Sequence, residues 1–398
     1  MRTLFAQPFF TRYFFARQLS VLAYSIEAVA VGWQIYAITH AALALGFVGL
    51  LLFVPQVALA VPAGVLADRF DRRKIVFFCS IGEAAGVAIF AYLAWQESHA
   101  LWAYAVALFV SGCARAMSAP AERALLVGIV DEAEFQRASA FTSSIGQMLT
   151  ILGPAAAGAL IALSTPIAFV VAAVAYAAST IAYASLRIRA QPHIDPGELD
   201  PIGGIRYLRK QPEVLGAISL DLFAVLFGGA TALLPIFATT ILHVGPLGFG
   251  VMRAAPGLGA AVVAWYLSQH QLERGAGRVL FFCVAAFGIA TIVFGLSKNL
   301  ALSLVALLAI GGFDMVSVVI RMTLVQLRTP DPLRGRVSAI ENIFIGASNE
   351  LGAFESGVTA AWLGAEASVA IGGLATLVVI LTWAFAFPQL RRLDRISE

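Results

Sequence analysis

Charge is scarce in this chain. Asp, Glu, Lys and Arg make up 12% of its 398 residues and hydrophobic side chains 60%, whereas a soluble domain carries about 25% and 45–50%. So little charge cannot cover a water-facing surface, and a mean hydropathy of +0.87 points to a lipid environment. Cysteine is nearly missing: Cys79, Cys113 and Cys283 all lie inside apolar runs without metal-type spacing, which excludes a disulfide framework and a thiolate metal site. The five histidines, at 40, 99, 193, 243 and 270, stand beside neither cysteines nor carboxylates. That leaves no support for a zinc site or a hydrolytic triad, and the sequence implies no enzyme, no metal and no cofactor.

What fills the chain is apolar sequence in lengths of roughly twenty residues, enough for a helix to cross a ~30 Å hydrocarbon core. Twelve spans are predicted: 13–38, 45–67, 75–95, 101–121, 138–162, 164–187, 214–242, 246–269, 279–296, 301–327, 337–363 and 366–388. The first is too long for a signal-peptide core, carries Arg17 and Glu27 and lacks a small-residue cleavage site, so it reads as a retained helix.

Lys and Arg are partitioned between alternate connections. With the N-terminus placed in the cytoplasm, the inner segments hold 21 of the 26, and the outer connections hold only Lys298. Arg17, Arg115, Arg253 and Arg321 fall inside predicted helices. Positive charge is retained on the cytoplasmic side during insertion, so both termini are expected there. Every basic cluster adjoins a predicted membrane helix, which weakens a nucleic-acid reading.

The longest polar stretch, Arg187 to Glu213, contains Pro192, Pro196, Pro201 and Pro212 and reads as a linker. It divides an N-terminal bundle (1–187) from a C-terminal bundle (214–398), with a cytoplasmic linker over 188–213. A gapless internal match supports duplication: 137–158 aligns with 336–357 through Arg137/Arg336, Ser139/Ser338, Ala140/Ala339, Gly153/Gly352 and Gly158/Gly357. Paired bundles of this kind are a recurring transporter design.

Between the second and third spans the chain reads GVLADRFDRRK, with six charged side chains in the seven residues from Asp68 to Lys74. Gly64, Leu66, Ala67, Asp68, Arg69, Arg72 and Arg73 resemble the signature G-x-L-A-D-R-x-G-R-[RK] of the major facilitator superfamily, with Asp71 where that family usually has glycine. The departure is expected to weaken the turn. Physically, Gly64 would allow close helix approach, Asp68 would pair with an arginine or cap a helix, and the arginines would meet anionic headgroups. The resemblance implies a latch, formed by Asp68, Arg69, Arg72 and Arg73, that holds the cytoplasmic ends of the two bundles together in the outward-open state. Arg115 is a candidate partner for Asp68 or for Glu122.

A narrower resemblance rests on FFARQLS (14–20), ARAMSAPAERALLVGIVDEAEFQRASA (114–140) and TLVQLRTPDPLRGRVSAI (323–340). These are similar to the branch containing the enterobactin exporter, macrolide efflux proteins and transmembrane secretion effectors. The resemblance implies the all-α major facilitator fold of twelve transmembrane helices in two six-helix bundles, and an exporter of the bacterial inner membrane coupled to the proton gradient.

Ionisable residues within a span are costly and face a partner or a water-filled cavity. On the first span Arg17, Ser20, Tyr24, Glu27 and Gln34 share a face at spacings of 3, 4, 3 and 7, so they are expected to line a cavity. Glu27, about halfway across, is the first candidate proton carrier; Asp221, Glu350 and Asp314 are its rivals. Arg253, Arg321 and Asn349 would line the same cavity from the second bundle. Asp314 and Arg321 are seven residues, about 10.5 Å, apart, so Arg321 is expected to meet an acid of the eleventh span instead. Tyr24, Trp33, Tyr36, Phe223, Phe227 and Phe237 offer an aromatic wall for an amphipathic or aromatic substrate.

The leading reading is proton-coupled export of a small amphipathic compound, a drug or a siderophore-like metabolite, by a monomer that contacts membrane lipids and protons. A second transport reading is lysophospholipid or other lipid movement. A non-transporting membrane receptor or a membrane enzyme has no positive support.

Overall fold

The computed structural model describes residues 2–5, 7–186, 203–270 and 274–394. The expected linker over 188–213 falls largely outside the described residues, as do Arg187, Arg189 and Arg395; its last part forms a short helix, Gly203–Lys210. The other described residues are built mainly on twelve longer helices: α1 (Pro8–Thr39), α2 (Ala42–Arg69), α3 (Arg72–Trp95), α4 (Leu101–Leu125), α5 (Glu132–Leu163), α6 (Thr165–Ala184), α7 (Pro212–Phe227), α8 (Gly245–Gln269), α9 (Ala276–Leu296), α10 (Leu300–Arg328), α11 (Asp331–Leu363) and α12 (Ala365–Ala386). Among the described residues, eleven helical stretches are long and apolar enough to cross a membrane, the seventh of them running from Pro212 to Ile241. The 33-residue α11 is the long helix not among them.

Local signals set the ends. Proline opens α1, α6 and α7 in the first turn, where its missing N–H costs no helical bond. His40 closes α1 in the left-handed region (φ 49°), its N–H donating to Tyr36 O at 2.8 Å. Asp71 caps α3, as detailed below.

The predicted span 214–242 is not one continuous helix. α7 stops at Phe227, and after Gly228 and Gly229 the chain continues as a 3-10 turn (Ala230–Leu233), a short helical segment (Leu234–Ile236) and a π-turn (Phe237–Ile241). Pro235 has no N–H to give to a carbonyl one turn back. At Gly228 a Cβ would run into the Phe287 ring and lie 2.8 Å from Ala224 O, so glycine is required for α7 to end against α9.

By packing, the chain forms two units. The first is Met1–His40, Leu51–Pro196 and Gly245–Val251; the second is Ala41–Leu50, Gly197–Val244 and Met252–Glu398. In the first unit α1 runs along α5 and α6, and α3 along α4 and α6. In the second unit α7 runs along α11 and α12, and α9 along α10 and α12, which is the same pattern six helices later. The repeat-matched glycines do matched work. A Cβ on Gly158 would lie 2.7 Å from Gly250 Cα inside the first unit, and one on Gly357 would lie 2.5 Å from Gly46 Cα inside the second. In lipid no hydrophobic force draws helices together, so such small-residue contacts are what let backbones pack.

Large apolar side chains are turned outward along the helices, among them Phe78, Val61 and Phe385, the last 82% exposed. Trp95, Trp102 and Trp362 are exposed at helix ends, the position of an interfacial aromatic belt. This is a multi-pass membrane protein.

Candidate functional site

Inside the first unit the ionisable residues of α1, α3, α4 and α6 converge. Arg17 Nη1 lies 3.4 Å from Glu122 Oε2, tying α1 to α4. One to three turns along, Tyr176 of α6 donates its hydroxyl to Glu27 Oε2 at 3.1 Å, and the Arg115 guanidinium sits over the Tyr24 ring, 3.2 Å from its centroid, a cation–π contact. Glu83 of α3 is buried within electrostatic reach of Glu27, Arg115 and Glu122. The sequence stripe on α1 is therefore not a uniform cavity wall: Ser20 and Glu27 are buried in the unit, while Arg17, Tyr24 and Gln34 are half-buried. Gln34 Nε2 donates to Tyr104 OH at 3.3 Å, and Trp33 packs against Phe249 at 5.4 Å.

The second unit holds a corresponding cluster on α7, α10 and α11. Arg321 is buried, ion-paired through Nη1 to Asp221 and through Nε to Glu341 at 3.3 Å, so the acid it meets on α11 is Glu341. Asp221 and Asp314 line one small cavity with Ala224, Val284, Phe287 and Ser317. Asp314 has no ion-pair or hydrogen-bond partner among the described residues. Asn349 is exposed and donates to Ile345 O of its own helix at 2.8 Å; Glu350 and Arg253 are half-buried. Phe223 packs on Trp383 at 5.2 Å between centroids. Phe237 is fully buried against Phe294 at 4.5 Å, which removes it from the expected substrate wall: it is core.

The two clusters are related with their charges inverted. Arg17 and Asp221 are 204 positions apart, as are Gly46 and Gly250; Glu122 and Arg321 are 199 apart, as are the matched glycines of α5 and α11. The first and fourth helices of each unit are thus joined by one ion pair, cation to anion in the first unit and anion to cation in the second. At the same 199-residue offset, Arg115 corresponds to Asp314.

The charged turn between α2 and α3 departs from expectation at three points. Asp71 strengthens the turn: it is the N-cap of α3, accepting from Arg73 N at 3.0 Å and pairing with Arg73 Nη2 at 2.7 Å. The Arg73 guanidinium holds its carboxyl below the usual carboxylate range. Gly64 serves no close approach, because a Cβ there would meet nothing within 4 Å. Arg115 does not pair with Asp68; Asp68 is 67% exposed and 3.9 Å from Arg72 Nη2, while Arg115 belongs to the cluster above. Arg69 is exposed. Arg72 donates to Ala67 O at 3.0 Å and Ala124 O at 3.5 Å, and Arg73 to Leu186 O at 3.5 Å. These carbonyls end α2, α4 and α6, where helices leave acceptors unfilled, so two arginines stitch three helix ends of the first unit.

Glu83 and Tyr176 were not singled out by sequence reasoning. Glu83 is the one acid in an otherwise apolar run, IVFFCSIGEAAGVAIF, and an acid so placed is itself a signal. Tyr176 carries no such mark, since a tyrosine in an apolar helix is ordinary.

The family profile described as "Transmembrane secretion effector" matches residues 3–398. The enterobactin exporter EntS of Citrobacter koseri is 26% identical over 399 residues, covering 97% of this chain and 93% of the relative. EntS of Escherichia coli O139:H28 is 25% identical over 405 residues with the same coverage. Among solved structures, a point mutant of the nucleoside transporter NupG superposes with a TM-score of 0.77 at 10% identity, over 95% of this chain and 100% of that one. A bacterial homologue of the human lysosomal transporter Spinster gives 0.75 at 12% identity, over 95% and 96%. With two like-packed units of membrane helices and a profile match along nearly its whole length, the chain belongs to the transmembrane secretion effectors, a family of major facilitator transporters and not of enzymes.

Proposed function

We propose that the protein is a secondary active transporter of the bacterial inner membrane that exports a small amphipathic compound, a drug or a siderophore-like metabolite, in exchange for protons. In this reading two six-helix bundles (1–187 and 214–398), joined by 188–213, alternate access as a monomer. Both termini are cytoplasmic, and α11 is the twelfth span, polar because it faces the transport path. The observation that carries the reading is the placement of Glu27, Asp221 and Asp314 in the interiors of predominantly apolar helices, where an acid is retained for function. The enterobactin exporters among its relatives favour a siderophore-like cargo. Asp221 is committed to Arg321, so Glu27 and Asp314 lead as proton carriers and Glu350 follows.

Reconstituted protein in liposomes bearing an imposed pH gradient tests this with enterobactin, a lipophilic cationic dye and lysophospholipid offered separately. Gradient-driven movement of the siderophore or the dye, collapsed by a protonophore, is expected. Movement of lysophospholipid alone, or transport indifferent to the protonophore, would overturn the proposal.

A further inference from the structure

Glu83 lies on α3 with 2% of its surface exposed, and its Oε2 atom is buried without a hydrogen-bond partner. The helix contact here is unusually close. A Cβ on Gly82 would lie 3.1 Å from Ala114 Cβ, and one on Gly86 would collide with the Ser111 hydroxyl. Gly86 is one helical turn beyond Glu83, so the Glu83 carboxyl is delivered to the stretch of α4 that carries Ser111 and Arg115. The Ser111 hydroxyl is also buried, and it faces the Glu27 carboxyl. The groups around Glu83 come from four helices: Glu27 of α1, Cys79 one turn back on α3, Arg115 and Glu122 of α4, and Tyr176 and Tyr183 of α6; Tyr24 of α1 covers the Arg115 guanidinium.

The charges do not balance if every acid is ionised. Arg17 is taken by Glu122, which leaves Arg115 as the cation for both Glu27 and Glu83. Two carboxylates sharing one guanidinium leave a net negative charge in a water-poor interior, which is costly. A single proton on the pair removes the surplus and supplies the missing donor for the orphaned Glu83 oxygen. Such a proton belongs to the pair rather than to either residue.

We propose that Glu83 and Glu27 form a carboxyl–carboxylate pair, balanced by Arg115, that holds one exchangeable proton in the interior of the first unit. The use of this proton in transport rests on the export reading above; the existence of the pair does not. Infrared spectra of the full-length protein in lipid nanodiscs, recorded without substrate and with hydrogen–deuterium exchange, separate the two questions. The wild type is expected to show a buried protonated-carboxyl component. Glu83→Gln and Glu27→Gln should each remove that same component entirely, because the remaining acid ionises against Arg115, while Asp314→Asn, in the second unit, leaves the Arg17–Glu122 pair intact and should keep it. Glu83→Asp should retain a protonated-carboxyl component at a shifted frequency. Persistence of the component in Glu83→Gln or Glu27→Gln, or its loss in Asp314→Asn, overturns the pair. If Glu83→Gln does not fold, Glu27→Gln decides alone: with Glu83 the remaining acid, loss of the component supports the pair and persistence overturns it.

Discussion

Asp71 shows how one residue changes meaning once its helix is placed. Read as a missing glycine it loosens a turn; as the N-cap of α3 it satisfies Arg73 N–H and grips the same residue's guanidinium. Asp71→Ala is expected to lower stability by about 1 kcal/mol near neutral pH, measured by thermal unfolding in detergent. Asp71→Gly should fall closer to wild type, since a glycine cap costs only about a few tenths of a kcal/mol. The sign of the pH effect follows from the Arg73 hydrogen bond, which depresses the folded-state carboxyl. Its stabilisation is complete above the unfolded value of about 3.9 and is lost as pH falls through the folded value. The gap between wild type and Asp71→Ala should therefore close in acid below about pH 4; a constant gap would show that the carboxylate contributes nothing as a charge. Glu83 marks the opposite limit of sequence reading. Its own segment is plain, but its significance lies in residues 27, 115 and 176, which only the fold brings near it.

At the scale of elements, the long apolar runs were legible because a helix must be about twenty residues long to span hydrocarbon, and eleven helices meet that measure. The break after Phe227 was not, because Gly228, Gly229 and Pro235 sit in a stretch that stays apolar throughout; hydropathy registers composition and not the loss of a backbone donor. Gly228→Ala should destabilise by about 1–3 kcal/mol through overpacking on Phe287 and the Ala224 carbonyl; unchanged thermal stability would show that the break does not depend on the glycine. The inverted ion pairs are a second element-scale feature, each joining the first and fourth helices of its unit. Arg321→Leu leaves Asp221 and Glu341 buried without their cation, a loss of about 3–5 kcal/mol by analogy with other broken buried pairs. Asp221→Leu added to Arg321→Leu removes one stranded acid, so the double variant should unfold at a higher temperature than Arg321→Leu alone. A double variant no more stable than the single would mean that Asp221 is not held by Arg321.

At the scale of the molecule, the same packing order recurs six helices later, yet the chemistry does not repeat: where the first unit places Arg115, the second places Asp314, and the Arg17–Glu122 pair returns as Asp221–Arg321 with its signs exchanged. Duplication has kept the backbone contacts, fixed by small residues at matched positions, and released the charges. In the proposed proton-coupled export, coupling requires a group whose occupancy by a proton changes affinity for cargo, and clusters of unlike charge do not titrate together. The first unit gathers Glu27 and Glu83 about Arg115, and the second holds Asp221 and Glu341 on Arg321 with Asp314 in the cavity beside them. Glu27→Gln keeps the shape and the Tyr176 contact while fixing the neutral form. It is expected to retain cargo binding and lose gradient-driven export in liposomes, whereas Asp314→Asn should retain gradient-driven export if coupling resides in the first unit. Export by Glu27→Gln at the wild-type rate with its pH profile intact, together with its loss in Asp314→Asn, would move the coupling site to the cavity that Asp314 lines with Asp221.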